Sequence, residues 1–387
     1  MSLTDERLDP TINPAIAVQP GSLIRALNAL KTPESIDLGL GEPTLSPKLA
    51  HFEAATRWVG VHGCRYSTNV GDAELRAAIA AYYAFPALPH AGNVCVTTGS
   101  AEAVFVTMKT LLDPAHDEIL LVEPAFPIYA KIAQIEGVAL RRVALSADED
   151  FAFDPERIVA ALTPATRMIV LCSPCNPSGR VISRAAVDAV ATALERRPGP
   201  RVVVLHDEIY RELQFTDDVG SFGDRYAQTV AINSLSKSNA LTGLRIGWLM
   251  APLPMMPHVV KMHGWATSCA NTFSQRVALE VFAAGELASQ RPWYAAQRAA
   301  AVAAAAAAGL RFVAPEGAFY LFVETGATDG PAFSRALLAA EDVVAIPGST
   351  FGPASAGWLR TTFVAPLDRL AEGYARIARF VARGRSA

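Results

Sequence analysis

A lysine that must carry a carbonyl compound needs surroundings that strip water from its amine and lower its pKa. Lys237 has such a setting. It ends the run Ser234-Leu235-Ser236-Lys237, just after an apolar stretch, and Arg245 follows eight residues on. The serines and the rigid donor fork of the arginine suit a phosphate dianion. A second cluster, His206-Asp207-Glu208-Ile209-Tyr210, also follows an apolar run. The Asp207 carboxylate could pair with a protonated ring nitrogen, and Tyr210 could donate to a ring oxygen. A third, Cys172-Ser173-Pro174-Cys175-Asn176-Pro177-Ser178-Gly179, is dense in turn formers. The Asn176 amide offers donors and an acceptor, suited to a ring oxygen and a carboxylate. Its bond to Pro177 is a candidate cis peptide. A fourth, Thr98-Gly99-Ser100-Ala101-Glu102-Ala103, opens a helix. The first free N–H groups there, those of Ser100 and Ala101, suit an anion. Taken singly, a lysine after a strand is usually just solvated, the Asp207 cluster reads better as an exposed strand end, the third reads equally well as turn chemistry and the fourth as an ordinary helix cap.

Each cluster follows a predicted strand. The strands expected are Val94–Thr97, Glu118–Val122, Leu140–Ala144, Arg167–Cys172, Arg201–His206, Thr229–Asn233 and Arg245–Met250. Helical stretches such as Glu102–Leu112 and Arg184–Arg196 lie between them. Apolar strands separated by helices predict a mostly parallel sheet covered on both faces. The ligand crevice of such a sheet lies beyond the carboxyl ends of its strands. The fold class expected is therefore α/β, a large domain with a seven-stranded, mostly parallel sheet between helices. The last third of the chain changes character. A long helical stretch, Ser274–Ala308, precedes strand-like pieces at Leu310–Ala314, Ala318–Val323 and Leu359–Phe363. These predict a smaller α+β domain joined by the N-terminal segment, giving 46–278 for the large domain and 1–45 with 279–387 for the small one.

The chain has 387 residues, half of them hydrophobic, and a net charge of −3. No basic surplus invites nucleic acid. The opening MSLTDERLDP is polar and acidic, unlike a signal peptide, and no apolar run reaches the ~20 residues of a membrane span. A cytoplasmic location is expected. Five scattered cysteines, Cys64, Cys95, Cys172, Cys175 and Cys269, fit reduced thiols. Cys172 and Cys175 match C-x-x-C, but the motif lacks a thioredoxin-like context and further metal ligands, so both are expected to be structural. The histidines show no metal-ligand spacing, and no metal is expected. His206 is expected to pack on the strand face opposite Asp207. Tyr129 could support Asp207 from behind or equally be a plain core tyrosine.

The motifs fall in a specific order: Gly41-Glu42-Pro43, Tyr66, Gly71, Leu75-Arg76, Gly99-Ser100-Ala101, Phe126, Asn176-Pro177-Ser178-Gly179, Asp207 with Tyr210, Ser234 with Ser236 and Lys237, Arg245, and Arg360. This order resembles the class I/II aminotransferases of pyridoxal-phosphate (PLP) fold type I, the aspartate aminotransferase superfamily. The resemblance implies PLP as cofactor, held by Lys237 as a Schiff base. It implies that Asp207 pairs with the pyridine nitrogen, that Tyr210 and Asn176 meet the ring hydroxyl oxygen, and that Phe126 stacks on the ring. Ser100, Ala101, Ser234, Ser236 and Arg245 would hold the phosphate. Tyr66 would reach the phosphate of a neighbouring subunit, so a homodimer is implied. Gly41, Asn176 and Arg360 would bind substrate, with Arg360 gripping its α-carboxylate. The reaction implied moves an amino group from an L-amino acid to a 2-oxo acid, expected to be 2-oxoglutarate, with ping-pong kinetics.

Three rivals compete with that reading. A C–S lyase, a decarboxylase or an aldolase-like enzyme could use the same lysine and aspartate. A ligand-sensing regulator would need a DNA-binding domain, for which the 40 residues before Gly41 are too few. A non-catalytic relative would have no use for Lys237, Asp207, Tyr210, Arg245 and Arg360 together. No second arginine for an acidic side chain is recognisable, which favours a neutral or aromatic amino donor. The segment Ala15–Ile24 and the loop Gly317-Ala318-Phe319-Tyr320 are expected to line the side-chain pocket. Thr44 stands where many relatives have Asp, and Ser178 where Thr is common.

Overall fold

A computed structural model of the chain describes residues 11–385. The polar opening segment 1–10, and the expectation attached to it, lies outside the described residues. The expected strands form, with ends displaced by no more than two residues: Val94–Thr97, Glu118–Glu123, Ala139–Ala144, Thr166–Cys172, Val203–Asp207, Thr229–Ser234 and Gly247–Met250. They make one seven-stranded sheet. Its spatial order, by first residue, is 94, 247, 229, 203, 166, 118, 139. Only Gly247–Met250 runs antiparallel to its neighbours. The others share one direction, so Thr97, Cys172, Asp207 and Ser234 end along the same edge.

Both faces of this sheet are apolar because successive side chains alternate between them. Ile119, Val170, Leu205 and Ile232 join a core with the helix Ser100–Leu111. Leu120, Ile169 and Val204 join another with the helix Arg184–Arg196. Full burial of each such Val, Leu or Ile contributes about 1.5–3 kcal/mol. The strand ends carry polar residues out of this core, which is why chemistry collects there.

A second, four-stranded antiparallel sheet orders Ile346–Pro347, Trp358–Thr362, Tyr320–Glu324 and Phe312–Val313. The N-terminal segment contributes a two-residue strand, Ile36–Asp37, parallel to Val343–Val344. Leu38 continues the contact, its carbonyl accepting from Thr362 N–H at 2.8 Å. Thr44 ties the next residues down by donating to the Val364 carbonyl at 3.0 Å.

The long helix expected over Ser274–Ala308 is two helices, Thr272–Ala283 and Arg291–Ala307. The break has local causes. Gly285 adopts φ +66°, a left-handed stop. Pro292 sits in the first turn of the second helix, where its missing N–H is harmless. The first helix packs on Leu49–His62 and Ala73–Tyr83, beside the large sheet. No helix among the described residues is long and apolar enough to cross a membrane.

Candidate active site

The sheet edge and the second sheet enclose a cavity of about 550 Å³. Eleven of the thirteen residues singled out from sequence line it: Gly41, Ser100, Ala101, Phe126, Asn176, Asp207, Tyr210, Ser236, Lys237, Arg245 and Arg360. The other two do not. Ser234 ends its strand fully buried, and its hydroxyl accepts from Ser236 N–H at 3.2 Å. It caps the short helix Leu235–Ser238 that presents Lys237. Tyr66 is 88% exposed and lies away from the cavity.

One end of the cavity suits an anion. The helix Ser100–Leu111 begins there with Gly99 as its N-cap and no side-chain cap, so its first N–H groups face outward. Arg245 stands against them. A Cβ on Gly99 would sit 2.6 Å from the Arg245 guanidinium, and Gly99 has φ +82°, so only glycine fits comfortably. Behind the turn, Glu102 accepts from Thr98 N–H and from His263 Nδ1 at 2.8 Å.

The floor is acidic. Asp207 is 6% exposed, and its carboxylate accepts from Tyr129 Oη at 2.8 Å and Ile209 N–H at 3.1 Å. Burial raises its pKa, and those two donors oppose the rise. Tyr129 thus supports Asp207 from behind, one of the two readings the sequence left open. His206 is turned to the other face, against Phe222 and 3.0 Å from the buried Glu208.

Lys237 Nζ donates to the Gly41 carbonyl at 2.8 Å. Burial, with the nearby positive charge of Arg360, lowers its pKa to about 8. An amine so placed is neutral in a useful fraction near neutral pH, ready to bond a carbonyl or take a proton.

The roof comes from the second sheet. Arg360 is 2% exposed on Trp358–Thr362. It donates to Asn176 Oδ1 at 3.0 Å and to the Gly39 carbonyl, while its Nε has no partner among the described residues. Its guanidinium lies 4.5 Å over the Tyr320 ring. Tyr320 lines the cavity, with its hydroxyl 2.8 Å from that of Tyr210.

Sequence reasoning also missed a cation. Arg25, on the short helix Leu23–Asn28, lines the cavity mouth beside Ser22 and Ile24. The segment before it was expected there, but nothing in its local sequence marks Arg25 as facing inward. Among the described residues its guanidinium has no hydrogen-bond or ion-pair partner. Cys172 also lines the cavity, and all five cysteines are free. The Asn176–Pro177 bond is cis, as are Glu123–Pro124 and Ser173–Pro174.

An anion cup, a buried carboxylate, a lysine of lowered pKa and a buried arginine stand around one cavity, an arrangement suited to a phosphorylated carbonyl compound. The family model for aminotransferase class I and II matches residues 33–377, and the chain belongs to that family, as a PLP-dependent aminotransferase. It is 33% identical over 360 residues to a probable N-acetyl-LL-diaminopimelate aminotransferase of Bacillus subtilis (strain 168), covering 91% of this chain and 90% of that one. It is 30% identical to an aspartate aminotransferase of Pyrococcus horikoshii, covering 92% and 93%. The structure of the aspartate aminotransferase from Thermus thermophilus with maleate superposes with a TM-score of 0.87 at 27% identity, covering 95% of this chain and 99% of that one.

Proposed function

We propose that the chain transfers the amino group of an L-amino acid to a 2-oxo acid, with 2-oxoglutarate as acceptor and ping-pong turnover. The observation that carries this reading is the lowered Lys237 amine in one cavity with buried Asp207 and Arg360. The residues fit PLP. Lys237 would hold it as a Schiff base, and Asp207 would pair with its ring nitrogen. Tyr210 and Asn176 would meet its ring oxygen, with Phe126 against the ring. The first N–H groups at Ser100 and Ala101, with Ser236 and Arg245, would hold its phosphate, Ser234 acting through the cap it forms. Bound PLP supplies an electron sink for the bond broken at the substrate Cα. Arg360 would take the α-carboxylate, with Gly41 and Asn176 setting its place. The Lys237 amine, once displaced by substrate, would hold and return the Cα proton.

The same proposal includes a homodimer. Tyr66, Val61 and Trp265 are each at least 80% exposed, an apolar display that suits a second copy. Tyr66 would then complete the partner's phosphate site. It also includes the division 46–278 against 1–45 with 279–387, the change-over falling along the helix Thr272–Ala283, and action in the cytoplasm, where free thiols persist.

The test is a visible spectrum with added PLP, repeated with a panel of amino acids. A yellow band that an amino acid bleaches and a 2-oxo acid restores supports transamination, and Lys237→Ala should abolish the cycle. A band that amino acids leave unbleached while pyruvate accumulates would replace this reading with the lyase one. Arg25 favours a donor with an acidic side chain over the neutral or aromatic donor expected from sequence, because an unpaired cation lines the mouth. Arg25→Ala should then cut kcat/KM for aspartate or glutamate about tenfold while sparing leucine, a loss typical of one charge-assisted contact.

A further inference from the structure

Tyr320 has no role in the scheme above, yet three parts of the site meet at its side chain. We propose that Tyr320 is a positioning residue that couples the carboxylate grip of Arg360 to the direction in which the Tyr210 hydroxyl donates. The inference rests on the PLP reading of the site.

Its hydroxyl lies 2.8 Å from that of Tyr210, and among the described residues neither hydroxyl has another partner. A pair at that distance shares one hydrogen, so one donates and the other accepts. If Tyr210 gives its hydrogen to the cofactor's ring oxygen, the shared hydrogen must come from Tyr320. A donor into the Tyr210 oxygen strengthens the bond that Tyr210 donates onward. Tyr320 would therefore act on the cofactor without touching it.

The other end of the residue meets Arg360. The guanidinium stands 4.5 Å over the ring and favours the electron-rich face. Burial raises the Tyr320 pKa and Arg360 works against that rise, so the cation makes the hydroxyl a better donor. A substrate carboxylate on Arg360 cancels much of that charge and weakens the donor. The third part is Gly41. A Cβ there would lie 2.2 Å from the Tyr320 oxygen, so the missing side chain is what admits the hydroxyl. The carbonyl of the same residue accepts from Lys237.

The sign of the effect follows. A strong donor at the ring oxygen withdraws charge from it and makes the neighbouring imine nitrogen less basic. Weakening the donor raises the pH midpoint at which the visible band of the PLP-loaded protein changes. Tyr320→Phe keeps the ring under Arg360 and removes only the hydroxyl. It should raise that midpoint by about half a unit, the size expected from losing cooperative strengthening in a short chain of hydrogen bonds. Saturating succinate, a carboxylate with no amine, should raise the midpoint of the unmodified protein. In Tyr320→Phe the succinate-induced rise should be at most about half as large, with succinate affinity within about twofold. Val323→Ala serves as the control. It disturbs the same strand on the opposite face from Tyr320, where Val323 pairs with Leu359, and should leave the midpoint alone.

An unchanged midpoint and an unchanged succinate shift in Tyr320→Phe would overturn the proposal. So would loss of PLP loading in Tyr320→Phe with near-UV circular dichroism collapsed, because the residue would then be structural. If the unmodified protein forms no visible band with PLP, the reading of the whole site falls with it. That failure shows before any variant is made.

Discussion

The two halves of the cavity are built in different ways. The half that would hold the cofactor comes from strand ends of one sheet. Asp207 and Ser234 are terminal residues of neighbouring strands, and Ser100 follows the end of another within three residues. Sheet register alone brings them together. The half that would hold the substrate is assembled across great lengths of chain. Arg360 reaches Asn176 and Gly39, Lys237 reaches Gly41, and Tyr320 reaches Tyr210. Its parts meet only if the N-terminal segment and the second sheet settle correctly against the first. The cofactor half is thus a property of backbone geometry, and the substrate half a property of long-range packing.

Variants can sharpen that contrast. The largest expected effect is in the substrate half. Arg360→Ala removes a buried charge-assisted grip and should lower kcat/KM about a hundredfold or more, read by steady-state kinetics. PLP affinity should barely change, while the pH midpoint of the visible band should rise as it does when a carboxylate cancels the Arg360 charge. If PLP binding collapses too, the halves are not separable. A smaller effect is expected from Gly99→Ala. The added Cβ would press on Arg245 at a position with φ +82°. PLP affinity should fall about tenfold, measured by equilibrium titration, with kcat at saturating PLP within about twofold.

The strand-end motifs were legible because each is contiguous and each strand announces itself by an apolar run. The break after Ala283 was less so, since helix-forming runs on both sides of it, the second alanine-rich, hide one glycine and one proline. Ser234 shows a finer limit. Both serines of Ser234-Leu235-Ser236 look alike in sequence, but the strand end turns the first inward as a cap and the second toward the cavity. Arg25 and the partnership of Tyr320 with Arg360 were not legible as such. Which way an arginine on a six-residue helix faces depends on the packing of a segment far away in sequence. Tyr66 remains outside the cavity of the single chain.

The smallest expected effect tests the support beneath the cofactor half. Glu212 is buried and accepts from Asn233, one residue before Ser234, at 3.3 Å. Burial raises its pKa to about 7, from 4.5. The folded chain therefore keeps a proton there that the unfolded chain releases above about pH 4.5. Its contribution to stability is full below that pH and is lost as pH rises toward 7. Glu212→Gln imitates the protonated form. Between pH 5 and pH 8 the variant should lose about 1 kcal/mol less stability than the parent, read as a smaller drop in thermal midpoint, with kcat unchanged. An identical pH dependence in both would place the ionisation elsewhere.

The strap from Ile36 to Gly41 has a consequence for how the protein is made. It is made before the strands of the large sheet, yet the residues it pairs with, Val343–Val344 and Thr362, are made after them. The large sheet can close on its own strands during synthesis, as domains do when the chain is extended from its N-terminus. The strap must wait, unpaired, for some 300 residues of translation. A nascent chain interrupted before residue 343 would have the strand ends of the large sheet but no Arg360 and no anchored Gly41 to receive the Lys237 amine. The side of the cavity built by the second sheet is therefore completed only after the sheet edge that faces it.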